Sequence, residues 1–354
     1  MTEGKKKTRS IILYAVFIIL TVLAVGYTAY DEFAGKDTQL KEIVHMDIDS
    51  KYILIAFVCF FLAIFCEGMK YVILLHGCGS RHKYVEGFET GILGRFYDKI
   101  TPLGVGGQPF QMYYLHKEGE PVGVAGAVPT AGFITSQLAF SLVVFIAFLA
   151  PVPEGITFSA RILSYIGLAC YLFLPAAIIF FAISPSVCMK LCGFFIKLFT
   201  KMHIIKDPES AYKKTEDSLA GSCESLKAIG KNRLSVCLSL VFAVLYQIFI
   251  FLLPFFVLKG FRAKVSLIDA IIMCSYVYSS VAIVPTPGNS GAAELSFYAL
   301  FACVGSESLF FAMLIWRLLS YYMFIVIGVI IYAKRVFKRK RQRKQKKTVR
   351  LKAS

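Results

Sequence analysis

The chain has 354 residues, of which 57% are hydrophobic and only 17% are charged, and its formal net charge is +17. An average soluble domain carries about a quarter charged residues. Several uncharged apolar segments reach the roughly 20 residues that cross a bilayer as a helix. The composition therefore argues against a soluble domain and predicts an all-α polytopic membrane protein.

In chain order, a basic N-terminus (1–10) is followed by apolar segments that predict six full membrane spans. These spans are 11–30, 52–75, 122–150, 159–184, 234–258 and 309–333. Two further apolar segments, 87–115 and 266–305, are interrupted by proline and glycine. Because a helix break cannot leave backbone groups facing lipid, each is predicted to form a broken or re-entrant helical hairpin inside the protein. The prediction totals eight helical units.

The first arm of each hairpin differs in predicted length. A helix over 87–100 would rise about 21 Å, which is short of the roughly 30 Å hydrocarbon core. This length favours re-entry from one side. The arm over 266–284 is longer, so the sequence leaves open whether the second hairpin stops halfway or crosses.

Charge predicts the orientation, since cytoplasmic loops of membrane proteins are enriched in lysine and arginine. The basic N-terminus, the loop 185–233 and the basic tail 334–354 are expected in the cytoplasm, and the acidic loop 31–51 outside. The loop 185–233 begins with an amphipathic pattern typical of a helix lying on the inner leaflet. The loop and the tail are expected to contact anionic lipid, and no nucleic acid is expected.

The two hairpins align without gaps, which indicates an internal repeat. Thr101-Pro102 aligns with Thr286-Pro287, Gly106 with Gly291, and Leu115 with Leu300. The halves, 11–150 and 159–333, each contain two spans, one hairpin and one further span. Three crossings per half would invert the second copy in the membrane. Inverted repeats with broken helices are typical of transporters.

The two hairpins and the last span contain the candidate ligand-binding residues. A helix that begins inside the protein presents a positive N-terminal end, which attracts phosphate or carboxylate. Asn289 or Ser290 is predicted to cap the second such helix. Charged side chains at membrane depth favour a functional role. The predicted substrate-binding residues are Arg95, Asp98, Thr101, Pro102, Gly106, Gly107, Gln108, Pro287, Gly288, Asn289, Glu294 and Arg317.

Structural roles remain open for the same charges. Glu67 and Lys70 are spaced to pair with each other, Arg95 to pair with Asp98, and Arg317 to reach the membrane interface. The cysteines and histidines lack metal-site spacing, so neither a metal nor another cofactor is predicted. The sequence shows no nucleophile elbow and no Gly-rich phosphate loop, and no catalytic residue is predicted.

At "GRFYDKITPLGVGGQPFQMYYL" (94–115) and "PTPGNSGAAELSFYAL" (285–300), the chain resembles the membrane domain of lysylphosphatidylglycerol synthases, the bacterial multiple peptide resistance factors. The resemblance extends over about 11–335, and the wider group includes stand-alone flippase-like proteins. It implies a lipid flippase in the bacterial cytoplasmic membrane and a link to antibiotic resistance. In the full-length enzymes a separate cytosolic domain transfers lysine from lysyl-tRNA to phosphatidylglycerol, and this chain is not expected to contain that domain.

Three functional hypotheses follow. The first is a transporter of an anionic or aminoacylated phospholipid, or of a polyprenyl-phosphate lipid. The second is a phosphatidylglycerol lysyltransferase, which would meet tRNA, so the sequence leaves enzymatic activity uncertain. The third is a non-transporting partner of another envelope protein. The lipid, the energy source, a separate synthase subunit and the oligomeric state, including a homo-oligomer, remain open.

Overall fold

A computed structural model describes residues 48–335 apart from short gaps at 81–83, 102–103, 105, 154, 202–206, 283, 285, 287 and 305–308. The predicted span 11–30, most of the loop 31–51 and all of the tail beyond residue 335 lie outside the described residues. Within the described part every regular element is helical, which confirms the all-α class.

The described part of the chain forms eleven α-helices. They are α1 (Ser50–Gly77), α2 (Tyr84–Ile100), α3 (Gly107–Glu118), α4 (Val122–Phe148), α5 (Phe158–Ile183), α6 (Pro185–Lys201), α7 (Pro208–Lys231), α8 (Arg233–Gly260), α9 (Leu267–Ser280), α10 (Ala292–Phe301) and α11 (Leu309–Arg335). A 3-10 turn, Ala302–Val304, follows α10. Within α11, Leu318–Tyr322 form a π-helical turn.

Five helices, α1, α4, α5, α8 and α11, are long and apolar enough to cross a membrane. They coincide with the predicted spans 52–75, 122–150, 159–184, 234–258 and 309–333. A helix of 28 residues, such as α1 or α8, rises about 42 Å, which exceeds the roughly 30 Å hydrocarbon core. The chain is therefore a multi-pass membrane protein.

Polar caps explain where several of these helices begin. A side-chain oxygen before the helix accepts a hydrogen bond from a backbone N–H of the first turn, which otherwise has no partner. This arrangement occurs at Asp49, Thr157, Asp207, Asn232 and Ser266. Four of these caps precede apolar helices, whereas Asp207 precedes the polar helix α7, and in each case the local sequence explains where the helix begins.

The first hairpin, α2 and α3, starts and ends at the same end of the bundle. Nη2 of Arg335 lies 3.8 Å from the Glu86 carboxylate at the start of α2. Nη1 of the same arginine lies 3.4 Å from the Glu118 carboxylate at the end of α3. The α2 helix begins three residues earlier than predicted, at Tyr84. Its 17 residues rise about 26 Å, still short of the hydrocarbon core.

The second hairpin, α9 and α10, enters from the opposite end. Six residues join α9 to the end of α8, where the Asp49 N–H donates to the Gly260 carbonyl at 2.8 Å. The α10 helix ends at Phe301, shortly before α11 begins its run towards Arg335. The α9 helix has only 14 residues instead of the 19 predicted over 266–284. It rises about 21 Å, so this arm also stops partway.

Two apolar clusters hold the bundle together. The larger one joins α1, α8, α9, α10 and α11 and contains Phe60, Phe251 and Trp316. The smaller one joins α1, α2, α3 and α4 and contains Leu93 and Val128. Members of both clusters reach the polar cavity described below. The cavity therefore lies where the two clusters meet.

Candidate functional site

A cavity of about 380 Å³ lies in the middle of the bundle. Residues of α1, α2, α3, α4, α5, α8, α9, α10 and α11 line it, together with both hairpin turns. Six of the predicted site residues are among its walls: Arg95, Asp98, Gln108, Gly288, Asn289 and Arg317. The structure thus brings charged and polar residues of both sequence halves to one cavity.

A three-residue ion cluster forms one wall of the cavity. The Glu67 carboxylate accepts hydrogen bonds from Lys70 Nζ at 2.9 and 3.0 Å. It also accepts from Arg95 Nε at 2.9 Å and from Arg95 Nη2 at 3.3 Å. The expected Glu67–Lys70 pair is confirmed, but Arg95 joins that pair instead of binding Asp98. Two cations share one carboxylate, so the cluster carries one excess positive charge.

In the first hairpin, side chains of the preceding segment occupy the start of α3. Asp98 Oδ1 accepts a hydrogen bond from the Gly107 N–H at 2.9 Å, and Thr101 Oγ1 accepts from the Gly106 N–H at 2.9 Å. These N–H groups lie at the helix end that was predicted to attract an anionic ligand. The protein's own oxygens already satisfy them, so Asp98, Thr101, Gly106 and Gly107 build the turn.

A second buried ion pair stabilises the other hairpin. Arg317 Nε donates to Glu294 Oε1 at 2.7 Å, and Arg317 Nη2 donates to Glu294 Oε2 at 2.8 Å. Oε2 also accepts from the Gly291 N–H at 2.7 Å. Glu294 and Arg317 are only 1% and 2% exposed. Arg317 therefore does not extend to the membrane interface.

The predicted cap of α10 is wrong. Gly291, rather than Asn289 or Ser290, precedes the first helical residue. Gly288 and Asn289 both adopt left-handed backbone angles, with φ of 58° and 55°. That conformation delays the start of the helix, and Glu294 in the first turn reaches back to accept a hydrogen bond from the backbone N–H of Gly291.

The two hairpin turns have the same local geometry at the aligned positions. The Gly104 N–H donates to the Thr101 carbonyl at 3.2 Å, and the Asn289 N–H donates to the Thr286 carbonyl at 3.1 Å. Gly104 is also left-handed, with a φ of 63°. Asparagine tolerates this region better than most residues. The local turn thus repeats, whereas the inverted relation of the complete halves stays a prediction.

The hairpins approach each other at the cavity. The Tyr321 hydroxyl of α11 donates to the carbonyl of Lys99 at 3.2 Å. Gly288 packs on the same tyrosine ring, and a Cβ there would lie 3.2 Å from the Lys99 carbonyl. The two hairpin turns therefore meet at the cavity. Pro102 and Pro287 lie outside the described residues.

Several cavity residues were missed by the sequence analysis. Lys99 lines the cavity beside Arg95, and polar side chains of α4 and α8 face it from apolar spans: Ser136, Gln137, Tyr246 and Gln247. Polar residues in the middle of a span are a usable signal, because they are costly in lipid. No cluster of three metal-ligating side chains occurs in the described part of the chain.

Membrane-length helices around a cavity with charged side chains in its walls define an integral membrane protein with a candidate ligand site between its helices. The family model described as "Lysylphosphatidylglycerol synthase TM region" matches residues 11–328. The protein belongs to this family, because the match covers most of its length. The resemblance of the hairpin motifs is thereby confirmed. The search of curated proteins found no match.

Proposed function

We propose that the protein moves a phosphate-containing lipid across the bacterial cytoplasmic membrane and holds the phosphate of its headgroup in the central cavity. The candidates are an anionic or aminoacylated phospholipid and a polyprenyl phosphate. The observation that carries the proposal is the charge balance of the walls. The cavity walls contain three cationic side chains, Arg95, Lys99 and Arg317, and two carboxylates, Glu67 and Asp98. One positive charge is left over.

The buried charges behind the walls do not change this balance. Lys70 adds one positive charge and Glu294 adds one negative charge, and both side chains are buried. An uncompensated charge in a low-dielectric interior is unfavourable, and a ligand with one negative charge would neutralise it. The volume also fits, since small-molecule sites span roughly 300–1,000 Å³.

The arrangement of the hairpins supports movement between leaflets. One hairpin enters from each end of the bundle, and the two turns meet at the cavity. In transporters built from broken helices, the substrate site lies at such a meeting point and opens alternately to each side. With both termini in the cytoplasm, as the charge distribution favours, the first hairpin would face the cytoplasm and the second the outside.

The test is lipid movement in reconstituted liposomes. Purified protein is incorporated into vesicles with fluorescently labelled phosphatidylglycerol, lysylphosphatidylglycerol, a polyprenyl phosphate or phosphatidylcholine, and a membrane-impermeant quencher reports the outer-leaflet fraction over time. We expect faster exchange of at least one anionic or aminoacylated lipid and little effect on phosphatidylcholine. Exchange no faster than in protein-free vesicles for every lipid would refute the proposal.

A further inference from the structure

The hydroxyl of Ser136 on α4 has a constrained direction. Its Oγ accepts hydrogen bonds from Lys70 Nζ at 2.5 Å and from Arg95 Nη2 at 3.3 Å. Ammonium and guanidinium groups only donate, so both lone pairs of this oxygen are engaged. The hydroxyl hydrogen must then donate elsewhere, and the hydrogen bonds of the described residues offer it no acceptor. Because Ser136 lines the cavity, this hydrogen is available to a ligand there.

Arg95 has unused donor capacity at the same wall. Its bonds to Glu67 and Ser136 use Nε and Nη2, and no hydrogen bond within the described part of the chain uses Nη1. Its side chain is 23% exposed. Arg317 differs, since its side chain is 3% exposed and its Nη2 also approaches the Asn289 carbonyl at 3.4 Å. The two arginines are therefore not equivalent as ligand-binding groups.

Lys99 lies four residues after Arg95, which places both side chains on one face of α2. Within the described ranges no carboxylate oxygen lies within 4.0 Å of its ammonium group, whereas Lys70, Arg95, Arg317 and Arg335 each have such a partner. Its ammonium is 6.0 Å from the ring centroid of Tyr321. Lys99 is thus the cation at the cavity best able to bind an external anion.

We propose that Ser136, Arg95 and Lys99 form an oxyanion subsite for a phosphodiester group, with the Lys70–Glu67 pair as positioning residues. Three separate donors suit a group with several acceptor oxygens, and the surplus of one positive charge suits a monoanion. The Arg317–Glu294 pair holds the second hairpin and does not bind the phosphate. That the phosphodiester belongs to a lipid rests on the proposed function.

The experiment measures binding by calorimetry with the full chain in a non-ionic detergent. The probes are dihexanoyl-phosphatidylglycerol, its water-soluble headgroup glycerophosphoglycerol, and uncharged dihexanoylglycerol. Wild-type protein is expected to bind the first probe saturably. Ser136→Ala and Lys99→Gln are each expected to weaken its binding about tenfold, the effect of losing one hydrogen bond to a charged group. Ser136→Thr retains the hydroxyl and is expected to bind within about threefold of wild type.

Two matched controls accompany these variants. Ser141→Ala removes another buried hydroxyl of α4, 3% exposed and outside the cavity wall, and Lys117→Gln removes an exposed charge of α3. Both are expected to bind like wild type. If Ser136→Ala fails to fold, as judged by size-exclusion chromatography, Lys99→Gln and Ser136→Thr still decide the question. Wild-type affinity in Lys99→Gln, or loss of binding in both controls, would overturn the subsite.

The probes separate the possible sources of the anion. Equal binding of glycerophosphoglycerol and dihexanoyl-phosphatidylglycerol would support the subsite and indicate a water-soluble phosphodiester. Equal binding of dihexanoylglycerol would overturn it. Wild-type protein that binds the anionic probe but moves no lipid would retain the subsite and refute transport. Wild-type lipid movement together with undiminished binding in Ser136→Ala and Lys99→Gln would retain transport and refute the subsite.

Discussion

Removal of the Glu294 carboxylate tests whether the second hairpin depends on its buried ion pair. In Glu294→Ala the guanidinium of Arg317, 2% exposed, keeps its charge and loses its carboxylate partner. Breaking one side of a buried pair costs about 3–5 kcal/mol. The Gly291 N–H also loses its acceptor, which adds about 1–3 kcal/mol. The expected loss of unfolding free energy is therefore about 4–8 kcal/mol.

Arg317→Met is expected to lower the unfolding free energy less, by about 3 kcal/mol. The buried Glu294 carboxylate keeps its hydrogen bond from the Gly291 N–H, and it can take up a proton, whereas a buried arginine stays charged. The double variant Glu294→Leu/Arg317→Met removes both charges. Only the Gly291 N–H is then left without an acceptor, which lowers the unfolding free energy by about 1–3 kcal/mol. The double variant should thus be more stable than Glu294→Ala.

The assay is an unfolding titration with sodium dodecyl sulfate in mixed micelles, followed by circular dichroism. Glu224→Gln is the control, since Glu224 lies exposed in the interior of α7 and should leave the midpoint unchanged. Additive losses in the double variant would contradict the reasoning. So would a loss below about 1 kcal/mol in Glu294→Ala, because a surface pair contributes about that much.

Three further predictions use single positions. Gly288→Ala should cost about 2 kcal/mol more than Gly79→Ala in the same titration, because both glycines are left-handed but only Gly288 has neighbours that a Cβ would meet. Asn289→Val should lower the unfolding free energy by about 1–2 kcal/mol, because a β-branched residue is strained at a φ of 55°, while Asn289→Gly should be near neutral. Arg335→Gln should increase proteolysis of the loop after α3 in a timed digest, because it leaves the Glu89 and Glu118 carboxylates without their shared cation; unchanged digestion would contradict this role.

The helices could be predicted because apolar run length and capping residues are local properties. The predicted span 52–75 differs from α1 by only two residues at each end. The ends of the hairpin arms were harder to predict. The apolar run continues through 281–284, but the chain already leaves the helix at Ser280, so hydrophobicity alone did not mark the end of α9.

The site was only partly predictable, for a physical reason. The spacing of Glu67 and Lys70 fixes them on one helix face, so their pairing followed from the sequence. The partner of Arg95 is Glu67, 28 residues away on another helix, and no periodicity specifies that contact. The nearby Asp98 was the obvious partner by sequence, yet it binds the Gly107 N–H. The packing of the helices determines that Arg95 binds Glu67 and not Asp98, and residue spacing along the sequence does not encode that packing.

The final helix connects the parts of the site. Near its start Arg317 binds Glu294 of the second hairpin, and one turn later Tyr321 contacts the turn of the first hairpin. At its end Arg335 contacts both arms of that hairpin. The π-helical turn Leu318–Tyr322 lies directly after Arg317, and such turns are frequent at functional sites. In the proposed transport cycle, a hairpin that moves away from the cavity must therefore break contacts with α11 or carry α11 with it, which couples the two sides of the bundle.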